Sequence, residues 1–286
     1  MHIETAQYEF DQEIEECATD LYRFRSVADG VVGFDAITDA QIAQFHTQGY
    51  LVVYDALPPG EVQDTLDGLL DLIDGKNPGY RGVQFEGKAR AMLDTLPAEK
   101  RQDAVRKLWR FVEYDARLKA LAEQPKLLEV ITRMMGEQPE LFQDQALFKP
   151  PLIGREKPWH QDNAYFNLPP ETLVIGVWIA LDEATPENGC MHIIPGSHRQ
   201  GPIVHFKRRD WQICDTDVTV DHVIAAPLKP GGCLLFNGLL HHGTPPSRSP
   251  ERRRAVQLHY KPASVAPIAP AERMAVFGSE GKDVTC

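Results

Sequence analysis

"VIGVWIALDEATPENGCMHIIPGSHR", residues 174–199, contains two apolar runs separated by turn-forming pairs. The first run is rich in β-branched and aromatic residues and too short for an ordinary buried helix, so it reads as a strand buried on both faces. Asn188-Gly189 and Pro195-Gly196 end the runs, because Gly and Asn tolerate positive φ and Pro presets a turn. The texture extends both ways from about residue 138, through "LFQDQALFK" (141–149), "DHVIAAPL" (221–228), "GCLLFNG" (232–238) and "RAVQLHYK" (254–261). So many short strands in about 125 residues predict a sandwich or jelly roll.

The first half has a different period. "TDAQIAQFHTQGY" (38–50) opens on capping residues and stops near Gly49, "YLVVYDAL" (50–57) is a short strand, and "PPGEVQDTLDGLLDLIDG" (58–75) restarts a helix. Val62, Leu66, Leu69, Leu70 and Ile73 form one stripe, which marks an amphipathic helix lying on an apolar surface. Helix is also expected in 98–112 and 125–136, with a loop over 76–97. The fold class is therefore mainly β with an α layer, a jelly-roll core carrying helices on one sheet. A single domain is expected over 1–286: a mostly helical layer at 1–137, the jelly-roll core at 138–262 and a tail at 263–286.

The formal charge of −11 disfavours nucleic acid or an anionic membrane as partner. The acidic first twenty residues contradict a targeting peptide, and "LVIGVWIAL" is too short to cross a bilayer, so the expected location is cytoplasmic. Five scattered cysteines, Cys17, Cys190, Cys214, Cys233 and Cys286, form no CxxC pair and signal neither a disulfide framework nor a thiolate metal site.

"PWHQDNAYF" (158–166) sets His160 and Asp162 two residues apart, on one face if the strand continues, with Gln161 pointing away. A third ligand is offered by "FNGLLHHGTPP" (236–246), where His241 or His242 ends a strand. Two histidines and one carboxylate are the donor set of oxygen-activating non-haem iron sites. A His-x-Asp pair alone is commonly a hydrogen-bonded surface pair, and His2, His46, His192, His198, His205, His222 and His259 receive no ligand role.

"SPERRRAVQLHY" (249–260) adds three arginines to a strand. A guanidinium fork takes a carboxylate bidentately, as a dicarboxylate cosubstrate requires. Arg253 shares its face with Ala255 and Gln257, which leave room for a ligand, whereas Arg254 shares its face with Val256, Leu258 and Tyr260. Arg253 is preferred, with Arg254 as its rival.

These motifs, in this order, resemble the phytanoyl-CoA dioxygenase family of iron(II)- and 2-oxoglutarate-dependent oxygenases, closely over 141–262 and loosely from 38. The resemblance implies a cupin-like double-stranded β-helix, Fe(II), 2-oxoglutarate and O2 as cofactor and cosubstrates, and hydroxylation of a substrate with release of succinate and carbon dioxide. It carries the metal ligands, which are also the catalytic residues, onto His160, Asp162 and His242, since the family's distal histidine directly precedes Gly-Thr or Gly-Ser. It places the 2-oxoglutarate arginine eleven residues later, at Arg253, and implies cosubstrate contacts for Thr244, Trp178, Gln145 and Lys149. The family's halogenases lack the carboxylate, so Asp162 implies hydroxylation.

Two other readings suit parts of the pattern. Zinc on a cupin-like barrel would make a hydrolase or isomerase, and a barrel without turnover would be a binding module. The substrate class is a small organic molecule, with an acyl-CoA or another metabolite as candidates; "HFKRRDW" (205–211) is either a solvated charge run or a basic rim for phosphates. Monomer and homodimer are both compatible with the sequence.

Overall fold

The computed structural model describes residues 9–12, 15–91 and 93–286; His2 and part of the acidic first twenty residues lie outside them. The strands are β1 Glu9–Phe10, β2 Ser26–Val27, β3 Gly30–Val32, β4 Tyr50–Tyr54, β5 Val83–Phe85, β6 Val105–Trp109, β7 Pro139–Lys149 and β8 Lys157–His160. They continue with β9 Ile175–Ala180, β10 Met191–Ile193, β11 Phe206–Lys207, β12 Trp211–Gln212, β13 Ile224–Ala226, β14 Cys233–Asn237, β15 His242–Thr244 and β16 Arg253–Pro262. Two main sheets face each other: β1-β5-β6-β7-β16-β9-β14-β4-β3 and β2-β13-β10-β15-β8.

Period-two alternation assigns the faces. On β9, Ile175, Val177 and Ile179 pack with residues of the helices, including Phe45, Leu69 and Ile131. Trp178 and Ala180 point the other way, into the apolar layer with Ile193 and Ala225 of the second sheet. Helices α1 Asp39–Gln48, α2 Pro59–Ile73, α3 Ala116–Ala122 and α4 Pro125–Met135 cover the outer face of the large sheet. Gly49 caps α1 at φ +81°, and a Cβ there would lie 2.5 Å from the His198 ring, so the position requires glycine on both counts. The β core, the helices Asp39–Gln48, Pro59–Ile73 and Pro125–Met135 and the jelly-roll architecture agree with the sequence reading.

Residues 98–112 depart from it. They form a 3-10 turn followed by β6, which pairs with both β5 and β7. Arg106 is an extra residue in the register against β5, where Lys107 faces Gln84 and Val105 faces Phe85. The bulge leaves Val105 and Leu108 both in the core, three apart, and that spacing imitates a helix. The segment 76–97 contributes β5 to the sheet, so the first 137 residues supply strands as well as helices. The tail carries α5, Pro270–Phe277, whose Phe277 packs with Ala164 and Leu239. Cys214 and Cys286 are joined by a disulfide, a pairing that scattered spacing could not signal.

Candidate metal centre

β8 ends at His160, and Asp162 opens the 3-10 turn Asp162–Tyr165 rather than continuing the strand. Gln161 does point away: its side-chain amide donates to Gly201 and Leu239 carbonyls and accepts from the Ile203 N–H, pinning the turn. His242 opens β15 and is the cross-strand partner of His160, with ring centroids 4.2 Å apart. One donor atom from each of His160, Asp162 and His242 lies within 4.8 Å of the others, and all three side chains are buried.

The hydrogen bonding of the two imidazoles decides what can sit between them. His160 Nδ1 lies 2.7 Å from the Pro158 carbonyl and His242 Nδ1 lies 2.9 Å from the Leu240 carbonyl. A ring nitrogen against a carbonyl oxygen carries the proton, so each Nε2 presents a lone pair. Those lone pairs face Asp162 Oδ1 at 3.2 and 3.6 Å. Burial, with His242 beside it, pushes the His160 imidazole down to about 4, so it is neutral at ordinary pH. Burial alone would raise the Asp162 carboxyl, but His242 and His259 hold it well below the usual carboxylate range. Two imidazole nitrogens and a carboxylate oxygen converging on one point fit a divalent cation, and the N, N, O set matches iron(II).

Asp162 has a support that the sequence reading missed. Its Oδ2 accepts from Gln257 Nε2 at 3.0 Å and from His259 Nε2 at 2.8 Å. Both sit on the inward face of β16 with Arg253, so the period that selected Arg253 also reaches His259 three pleat repeats later.

A cavity of about 280 Å³ opens onto the three residues and is also lined by Gln143, Gln145, Lys149, Thr244 and Arg253. Arg253 is buried and faces Lys149 across β16 and β7. Their hydrogen bonds go to carbonyls, of Leu147 from Arg253 and of Arg155 from Lys149, and Arg253 Nε has no partner among the described residues. Burial lowers both cations, Arg253 to about 10 and Lys149 well below its usual range, the latter also through the neighbouring Arg253. Lys107 of β6 lines the same cavity and is lowered to about 8 by burial, with Lys157 and Arg106 adding to it. Lys107 lies in the stretch expected to be helical, where its place on an inward strand face is hidden.

The other positions separate clearly. Arg254 binds Asp182 with two nitrogens, at 2.7 and 2.6 Å, outside the cavity. His241 is buried away from the cavity, with its Nε2 unpartnered. Trp178 does not line the cavity; it is fully buried between the sheets, with the Arg253 guanidinium 5.5 Å from its ring centroid. Tyr165 and Phe166 do line it. In the 205–211 run, Arg209 is buried against Glu156 and Asp215 and is not free for a phosphate.

A family model described as phytanoyl-CoA dioxygenase matches residues 45–255, well over half of the chain. Phytanoyl-CoA dioxygenase domain-containing protein 1 of Danio rerio is 26% identical over 262 residues, covering 79% of this chain and 90% of that protein. The crystal structure of EctD from S. alaskensis with 2-oxoglutarate and 5-hydroxyectoine superposes with TM-score 0.63 at 22% identity, over 90% of this chain and 86% of that one. The epimerase SnoN in complex with Fe3+, alpha ketoglutarate and nogalamycin RO gives TM-score 0.65 at 18% identity, over 86% and 91%. The shared fold, the His-Asp-His cluster and the family match identify the chain as a member of the phytanoyl-CoA dioxygenase family of iron- and 2-oxoglutarate-dependent oxygenases.

Proposed function

We propose that this oxygenase hydroxylates a small organic molecule, with His160, Asp162 and His242 holding iron(II) and Arg253 holding 2-oxoglutarate. When bound, iron supplies the oxygen chemistry that couples decarboxylation of 2-oxoglutarate to hydroxylation. Asp162 is kept ionised and oriented by Gln257 and His259, and the backbone carbonyls of Pro158 and Leu240 fix both imidazoles with Nε2 facing inward. Arg253 and Lys149 neutralise the distal carboxylate, Thr244 and Gln145 border it, and Trp178 backs the guanidinium rather than touching the ligand. Lys107 adds a further cation to the anionic cosubstrate's cavity.

The observation that carries this reading is the pair Arg253 and Lys149, two buried cations facing each other with no carboxylate partner among the described residues, in the cavity that holds the His-Asp-His cluster. Such a pair is costly without an anion and strong with one. The test is an anaerobic titration of metal-free protein with iron(II) and then 2-oxoglutarate. A weak visible charge-transfer band of the chelated keto acid is expected; tight zinc binding with no such band would overturn the reading.

A further inference from the structure

β7 and β16 form a ladder whose rungs run from Lys149/Arg253 through Leu147/Ala255 and Gln145/Gln257 to Gln143/His259. Asp162 takes hydrogen bonds from the last two rungs on β16, so the metal ligands sit at that end. A diacid held by Arg253 and reaching toward the metal ligands would occupy the Arg253 end of this ladder. Gln143 lies at the opposite end, beside His259, and it still lines the cavity.

Its amide has no hydrogen bond within the protein among the described residues, and its Oε1 is fully shielded and unpartnered. A buried carbonyl oxygen without a donor is a cost that native structures rarely leave uncompensated. The register between the strands shifts next to it, between His259 and Tyr260, so Phe142 is an extra residue on β7. A bulge of this kind re-aims the adjoining side chain. Phe166, which packs edge-on to His259 at 4.9 Å, gives the same end of the cavity an apolar wall.

We infer that Gln143 is a substrate-positioning residue whose Oε1 accepts a hydrogen bond from an N–H or O–H group of the substrate, on the side of the metal ligands away from 2-oxoglutarate. The substrate portion that enters is compact and polar, since about 280 Å³ is at the small end for ligand cavities and is shared with the cosubstrate. The inference rests on the oxygenase reading above.

The test uses the iron-loaded full chain, with 2-oxoglutarate and matched pairs of small probes: lactams with their N-methyl forms, and alcohols with their methyl ethers. Succinate release above the probe-free rate is the readout. In the unsubstituted protein the N–H and O–H members are expected to stimulate release about tenfold or more over their methylated partners, the effect of one buried hydrogen bond. In Gln143→Met that preference should collapse through a raised KM, while the charge-transfer band and probe-free succinate release stay unchanged. Equal stimulation by both members, no stimulation by any pair, or a preference that survives in Gln143→Met would each overturn the proposal. Loss of the band and of probe-free release in the unsubstituted protein would instead strike the oxygenase reading itself.

Discussion

Asp162 is the residue on which most of the site turns, because one carboxylate oxygen faces both imidazoles and the other is held by Gln257 and His259. Asp162→Ala should abolish iron(II) binding and hydroxylation, and His259→Ala should weaken iron affinity about ten- to hundredfold by removing the orienting hydrogen bond. An iron(II) titration followed by calorimetry checks both. Arg253→Ala should weaken 2-oxoglutarate binding about ten- to hundredfold with iron binding retained, as expected for loss of a charge-assisted pair. His242→Ala should lose the metal, whereas His241→Ala should keep it, since His241 lies off the cavity. Normal turnover in Asp162→Ala or Arg253→Ala would refute that residue's role.

At the scale of elements, β9 and β14 support the ligand strand from beneath. Gly176 of β9 faces Phe236 of β14 in register, and a Cβ on it would come within 2.3 Å of the Phe236 ring. That ring lies 4.8 Å from the His242 ring. Gly176→Ala should therefore cost about 1–3 kcal/mol of stability by overpacking and also weaken iron binding, because the displaced phenyl pushes on His242, a proposed ligand. Thermal melts with and without iron separate the two effects. The elements also show where sequence reading met its limit. The face of β16 was legible from alternation alone, which put Arg253, Ala255 and Gln257 together. β6 was not legible, because the bulge at Arg106 gave its core residues a helical spacing and hid Lys107.

For the whole molecule, the helices and both sheets share continuous cores, and one unit spanning 1–286 remains our proposal for the domain organisation. A single urea transition, coincident by far-UV and near-UV signals, is expected of it. The pH response follows from histidines far from the solvent. Burial lowers His205 to about 3 and His192 to about 4, so both stay neutral in the folded protein and protonate first in the unfolded chain. Each therefore removes stability as pH falls below about 6.5 toward those values, by about 1.4 kcal/mol per pH unit, and contributes no change at higher pH. The urea midpoint of metal-free protein should drop between pH 7 and pH 5, and an unchanged midpoint would contradict their burial as neutral groups.

What the sequence by itself determined was the set of local patterns: turn pairs between β-rich runs, the amphipathic stripe of α2, the His-x-Asp spacing and the inward face of β16. These follow from backbone preferences and side-chain period, which act within a few residues. Only the tertiary structure decided which histidine of the pair joins Asp162, that Lys107 and Gln143 reach the cavity, that Arg254 is spent on Asp182, and that Cys214 meets Cys286. Those outcomes depend on strand register and bulges between distant segments, and register is set by packing across the whole sheet rather than by any one stretch of chain.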